Sequence, residues 1–417
     1  MDCIQIRGGT PLKGEVLIQG SKNAALPVMA ACVLVPGITV LKNCPNISDV
    51  DCMCRILQRV GVKVKRQDDA LLIDASKVDS WRLPEEYETR MRSSVILAGA
   101  MLGRCRKVCL HHPGGCVIGD RPIDMHIRAL EGLGVCFEQT QEGILGSAAR
   151  LAGGRIDLPF PSVGATENVI LAAVLAKGCT RITGCALEPE IAALCSFLNG
   201  AGARIKETGR GCLFIEGVER LRESCYRVES DRIVAGTYLM GALAAGGDVF
   251  LRNAQAGQLE CVLQTARRMG AVIRTEKSGV RVVRGRRLTA PERIRTEVYP
   301  GFPTDLQSPM LVVLSQSQGE CLLTETIFNG RLAVAEQLNR MGARIVVEGC
   351  NARTKGPRQL TGCCVHAGEL RGGAALVLAG LCARGNTEVY HHCFIDRGYE
   401  DIVRDLRSLG ADIGVKT

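Results

Sequence analysis

One pattern constrains the fold more than any other: a helix-like segment ending in Leu, Met or another small apolar residue, then glycine, then a short β-branched run, occurs six times. The copies are "LQRVGVKV" at Gly61, "LEGLGVCF" at Gly134, "LNGAGARI" at Gly202, "ARRMGAVI" at Gly270, "LNRMGARI" at Gly342 and "LRSLGADI" at Gly410. Successive glycines are separated by 73, 68, 68, 72 and 68 residues, by subtraction of these numbers. Each copy is preceded by an apolar helix closed by glycine and followed by a strand, as in "AAVLAKGCTRITG" from Ala172 and "AGLCARGNTEVY" from Ala379. Glycine just past a helix is what a left-handed C-cap requires. A second, amphipathic helix follows, such as "EPEIAALCSFLNGAG" with Ile191, Leu194, Cys195 and Leu198 at helical spacing. The unit reads as strand, helix, strand, helix, strand, strand. About 70 residues is too long for a standard solenoid period, so six units predict two similar domains of three units each.

Length agrees, because 417 residues exceed the size at which one core stops growing. Hydrophobic residues at 46% and charged residues at 23% are ordinary for a globular chain and exclude a disordered or fibrous one. The start, "MDCIQIRGGTPLKGEV", has neither a basic n-region nor an apolar stretch, so a cytoplasmic protein is expected. The longest uncharged runs, such as "AALPVMAACVLVPGITVL" from Ala24, are broken by Pro and Gly, which predicts buried elements and no membrane partner.

Twenty-one cysteines in a long chain with an odd count predict free thiols, most of them small core residues. No C-x-x-C occurs, and "DCMC", "GCC" and the "HH" pairs at His111 and His391 lack zinc-ligand spacing, so no metal is expected. The net charge of +9 comes without a Lys/Arg block interleaved with aromatics, and only six Tyr and one Trp are present for stacking. Small phosphorylated ligands are therefore expected in place of nucleic acid.

Certain charged residues lie on turn-like segments. "QGSKNAALP" puts Lys22 and Asn23 at the start of a helix, where backbone N–H groups favour anions. "PGFPTDLQSP" holds Asp305 between prolines, as a turn former or a general base. "MRSS" sets Arg92 at the front of an apolar helix and "FIDRGYEDIVRDL" sets Arg397 before a glycine; either guanidinium suits an oxyanion or a structural ion pair. "HHPGGCVIGDRPIDMH" carries Cys116 on a glycine-rich loop near Arg121 and His126, neighbours that favour a thiolate.

Together, "QGSKNAALP", "MRSS", "PGGCVIGDRPIDMH", "FPSVGATEN", "EPEI", "SDRIVAGTYL", "PGFPTDLQ", "ETIF", "ELR" and "DRGYE" resemble the enolpyruvyl transferases, and among them those acting on UDP-N-acetylglucosamine. The match runs from the first repeat to the last. The resemblance implies a two-domain inside-out α/β barrel, three βαβαββ units per domain, with domains at 22–229 and at 1–21 plus 230–417 and the site in the cleft between them. It implies transfer of the enolpyruvyl group of phosphoenolpyruvate to the sugar 3'-hydroxyl, with no metal and no cofactor. Cys116 would be the general acid, also alkylated by fosfomycin, on a lid that closes over the ligands; Asp305 would be the base near the hydroxyl. Lys22, Asn23, Arg121, Arg331, Arg371 and Arg397 would hold phosphoenolpyruvate, with Glu369 also in the catalytic set. Arg92, Arg121, Pro122, Ile123, Asp124, Met125, Ser162, Val163, Gly164, Asp305 and Ile327 would line the nucleotide sugar.

The chain departs from that pattern in two places. Glu369-Leu370-Arg371 stands where Asp-Leu-Arg is usual, and Asn329-Gly330-Arg331 where Glu-Asn-Arg is usual. A silent paralog that binds the nucleotide sugar, and the sister transferase using shikimate 3-phosphate, are the alternative readings.

Overall fold

The computed structural model describes residues 2–111, 122–284 and 287–416. Cys116 and Arg121 lie outside them. The described residues form two compact units, 2–19 with 230–416 and 20–111 with 122–229.

Each unit holds three small sheets. Five of the six sheets share one plan: an edge strand runs parallel to its neighbour, which pairs antiparallel with one of two further antiparallel strands, a hairpin in four of the five. In the first unit, Leu12–Leu17 runs parallel to Gly247–Arg252, with Asp248 opposite Lys13, and Gly247–Arg252 pairs antiparallel with Gly279–Val283. In the second unit, Ser224–Arg227 lies parallel to Ile38–Lys42 in the same way. The sixth sheet has three strands, Lys107–Leu110, Gly143–Ser147 and Cys136–Thr140, and a single parallel bridge from Arg82 to Cys109 stands where the fourth strand would be.

Two kinds of helix explain the inside-out arrangement. Arg232–Ala245, Gln307–Ser315 and Leu370–Cys382 are apolar on every side, and they pack on one another inside the first unit. In the second, Leu97–Cys105 packs on Val163–Ala173, and Lys22–Cys32, equally apolar, packs chiefly on Pro189–Gly200. A helix with no polar face must be buried on all sides, so the sheets surround it. The amphipathic helices, such as Ser48–Arg59 and Glu260–Arg268, bury one face only.

The six repeated glycines, Gly61, Gly134, Gly202, Gly270, Gly342 and Gly410, all have φ between 88° and 100°. The glycines read from sequence as closing the apolar helices, Gly178 and Gly385, have φ of 89° and 84°.

The cysteines depart from expectation. All twenty described are free, but only six, Cys3, Cys32, Cys44, Cys109, Cys185 and Cys321, are buried. Several, among them Cys136, Cys179, Cys225 and Cys364, sit on strands where alternation turns them outward, and position outweighs residue type. Among the described residues no helix is long and apolar enough to cross a membrane.

Candidate active site

The described residues among those singled out above lie in both units, and some of them meet within each.

In the second unit, Ser21 caps Lys22–Cys32, its hydroxyl accepting from Ala24 N at 3.3 Å. That fixes Lys22 and Asn23 in the first turn. Lys22 Nζ reaches Asp49 Oδ2 at 3.1 Å, and both side chains are largely buried. Ser162 repeats the device, accepting from Ala165 N at 3.4 Å at the start of Val163–Ala173.

In the first turn of that helix, Gly164 permits a close approach: a Cβ there would lie 2.8 Å from His126 Cε1. Asn168 reinforces it. Its Oδ1 accepts from Gly99 N at 2.6 Å, so its amide nitrogen faces Val95 O at 3.0 Å and His126 Nδ1 at 2.8 Å. Both amide hydrogens are then used, which leaves His126 Nδ1 as an acceptor. Arg92 Nη2 donates to Pro122 O at 3.3 Å. Arg92, the segment Pro122 to Met125 and the segment Ser162 to Gly164 therefore form one neighbourhood.

In the first unit, Asp305 lies in the short 3-10 turn Thr304–Leu306, so it is a turn residue and also an ion-pair partner. Its Oδ1 accepts from Arg331 Nη1 at 2.6 Å, and its Oδ2 from Arg371 Nη2 at 2.9 Å and Nε at 3.2 Å. The arginine side chains are 5% and 3% exposed, Asp305 22%. Burial works against the Arg371 charge, but Asp305, Tyr399 and Asp231 outweigh it and hold the guanidinium above its already high range. Arg331 Nε and Arg371 Nη1 make no hydrogen bond within the protein. Buried donors without partners are costly unless a ligand takes them, so the arrangement suits an anion.

Glu325, buried and not singled out from the sequence, links the parts. Its Oε2 accepts from Thr304 Oγ1 at 2.9 Å, and its Oε1 from Ile327 N at 2.8 Å and Phe328 N at 3.1 Å. It thereby fixes Ile327 beside the Asp305 turn, and the Phe328 ring lies 5.0 Å from the Arg331 guanidinium. Arg397 ends the 3-10 helix His392–Arg397; the next residue, Gly398, packs so closely on Leu370 that a Cβ would sit 2.8 Å from it. Tyr399, also missed, lies 5.9 Å from the Arg371 guanidinium and joins Thr237 Oγ1 at 2.8 Å. "DRGYE" and "ETIF" contained Tyr399 and Glu325, but no periodicity marked them. Among the described residues no group of three or more His, Cys, Asp or Glu is placed to hold a metal ion.

Comparison with known proteins gives these arrangements a context. A sequence model of EPSP synthase (3-phosphoshikimate 1-carboxyvinyltransferase) matches residues 6–406. "UDP-N-acetylglucosamine 1-carboxyvinyltransferase 2" of Caldanaerobacter subterraneus subsp. tengcongensis is 44% identical over 413 residues, covering 99% of each chain. "UDP-N-acetylglucosamine 1-carboxyvinyltransferase" of Granulibacter bethesdensis is 42% identical over 417 residues with the same coverage. Among solved structures, the enolpyruvyl transferase NikO from Streptomyces tendae superposes with a TM-score of 0.90 at 24% identity, over 100% of this chain and 99% of that one. EPSP synthase from Acinetobacter baumannii gives 0.78 at 19% over both full chains, and both likenesses speak for the fold alone. Full-length relatives above 40% identity, on the fold that the six repeats build, place this chain in the enolpyruvyl transferase family, among the UDP-N-acetylglucosamine 1-carboxyvinyltransferases.

Proposed function

We propose that the protein transfers the enolpyruvyl group of phosphoenolpyruvate to the 3'-hydroxyl of UDP-N-acetylglucosamine, the first committed step of peptidoglycan precursor synthesis. The observation that carries the reading is Asp305 held between two buried arginines that retain unpartnered donors. The names of the full-length relatives supply the substrates.

The reaction needs three things: an anion cradle, a base for the hydroxyl proton, and an acid for the methylene carbon. Arg331, Arg371 and Arg397, with Lys22, Asn23 and Arg121, take the phosphate and carboxylate of phosphoenolpyruvate. Asp305 removes the 3'-hydroxyl proton as the sugar oxygen bonds to C2, and Cys116 delivers a proton to C3. The tetrahedral adduct then loses phosphate and a C3 proton, restoring the double bond. The nucleotide sugar lies along Arg92, Pro122 to Met125 and Ser162 to Gly164, with Ile327 near the sugar.

The arginine pair gives the base a second property. Substrate oxyanions compete with Asp305 for the two guanidiniums, and a carboxylate relieved of cationic partners is a stronger base. Binding the anionic substrate thus prepares the group that must take the proton.

The test is phosphate release from phosphoenolpyruvate with and without UDP-N-acetylglucosamine, with shikimate 3-phosphate as the alternative acceptor. Release that depends on the nucleotide sugar is expected; release with shikimate 3-phosphate alone, or none with either, overturns the reading.

A further inference from the structure

We propose that Glu369 is a positioning residue that aims Arg371 from the end of its own helix and takes no part in proton transfer. The inference rests on the enolpyruvyl-transfer reading of the same site, and it concerns the residue that departs from the family pattern.

Glu369 is the N-cap of Leu370–Cys382, with the extended backbone a cap requires, φ −159° and ψ 170°. Its Oε2 accepts from Arg371 N at 2.7 Å, and its Oε1 makes a short bond with Gly372 N. These are the second and third helical positions, the N–H groups that cap side chains satisfy. Both carboxylate oxygens are thus taken by the backbone. Each oxygen keeps a second lone pair, but a proton placed on it would weaken the bond it accepts from an N–H at the mouth of a buried helix.

Glutamate is not among the preferred caps, because its chain is a methylene longer than that of Asp or Ser. Gly372 makes room for it: a Cβ at 372 would lie 2.9 Å from Glu369 Oε1. The two residues are fitted to each other. The anionic cap also suits the positive end of the helix.

What the cap holds is the backbone of Arg371. From that point the side chain, 3% exposed, runs to Asp305, with the Tyr399 ring 5.9 Å from its guanidinium. A loosened first turn shifts the guanidinium, and with it the carboxylate it orients. Displacements near 1 Å in a reacting set can cost on the order of 100-fold.

The experiment compares Glu369→Ser, Glu369→Asp, Glu369→Leu, Gly372→Ala and the pair Glu369→Asp with Gly372→Ala, reading kcat, KM, the pH profile and Tm. Serine caps but cannot titrate. Its kcat is expected within about tenfold of the parent, with both limbs of the pH profile in place, while Glu369→Leu falls about 100-fold in kcat. Gly372→Ala is expected to lose activity by displacing the carboxylate, and the shorter aspartate side chain in the paired variant to restore it. Retention by Glu369→Asp alone, with serine as inactive as leucine and one pH limb gone, overturns the proposal, as does full activity in Glu369→Leu. Should the parent release no phosphate, the reading of the reaction fails instead. The cap is then still tested by Tm, expected to drop about 2–4 °C in Glu369→Leu and in Gly372→Ala, and to recover in the pair. A flat Tm across the series overturns it.

Discussion

Asp305 neutralises one of two buried positive charges, so removing it does more than delete a base. Asp305→Ala removes the carboxylate that Arg331 and Arg371 share, in a site where they are 5% and 3% exposed. Breaking a buried pair from one side costs about 3–5 kcal/mol, and a loss of that size is expected in chemical denaturation alongside loss of turnover. Behind Arg371, the direction of one proton can be assigned. Thr237 Oγ1 donates to Ile233 O at 2.9 Å, so its 2.8 Å bond with Tyr399 is donated by the phenol. Tyr399→Phe removes the hydroxyl that bonds Thr237 and keeps the ring beside the guanidinium. It is expected to cost about 1 kcal/mol of stability, and to cost far less turnover than Arg371→Lys, as a comparison of denaturation midpoints and kcat would show. Lys22, Asn23, Arg92, Asp305 and Arg397 were legible because helix starts, prolines and glycines mark them. Asp49, Glu325 and Tyr399 were not. Each has a partner 21 to 162 residues away in the chain, and no local pattern encodes such a meeting.

At the scale of the element, the repeated glycines do one conformational job. Gly410 has φ 89° and no atom within 4 Å of where a Cβ would stand. Gly410→Ala therefore meets left-handed strain alone, expected to cost about 1 kcal/mol in urea denaturation. Gly20 is a different case: its φ is ordinary, but an added Cβ would lie 1.9 Å from Asn43 O. Gly20→Ala must push backbone from backbone and is expected to cost at least twice as much in the same measurement. The sequence pattern foresaw the first kind, because capping leaves a local signature. The second kind, a close approach between strands and helices distant in the chain, leaves none. The 3-10 turns Arg92–Ile96, Thr304–Leu306, Arg331–Ala333 and His392–Arg397 were equally hidden, although each carries or ends on a candidate site residue. Their short i to i+3 geometry is too brief to show a period.

For the whole molecule, periodicity gave six units in two domains, and helices inside with sheets outside came from the resemblance alone. Strand partnership was beyond the periodicity. Leu12–Leu17 pairs with Gly247–Arg252, more than 200 residues away, and the choice rests on how the buried helices pack. That burial has a titration consequence. Glu167, within Val163–Ala173, is 2% exposed, and burial, reinforced by Glu190 and Glu188, pushes its carboxyl well above the usual range. In the unfolded chain the same group ionises near its ordinary value of 4.5. Between those two pH values the folded state carries a proton that the unfolded state has lost, so stability falls as pH rises through the window, by up to roughly 1.4 kcal/mol per pH unit. Glu88, buried and likewise raised, adds a fall of the same sign. The surface carboxylates Asp157, Asp248, Glu320 and Glu388, lowered by their hydrogen-bond partners, act oppositely, and only in acid below their ordinary values. The difference between parent and Glu167→Gln isolates the one group. The variant is expected to be the more stable at pH 8 and to lose part of the downward slope between about pH 5 and pH 8. Parallel Tm-against-pH curves for the two proteins would show that Glu167 is ionised in the folded state, and that a cation within the unit, not burial, sets its charge.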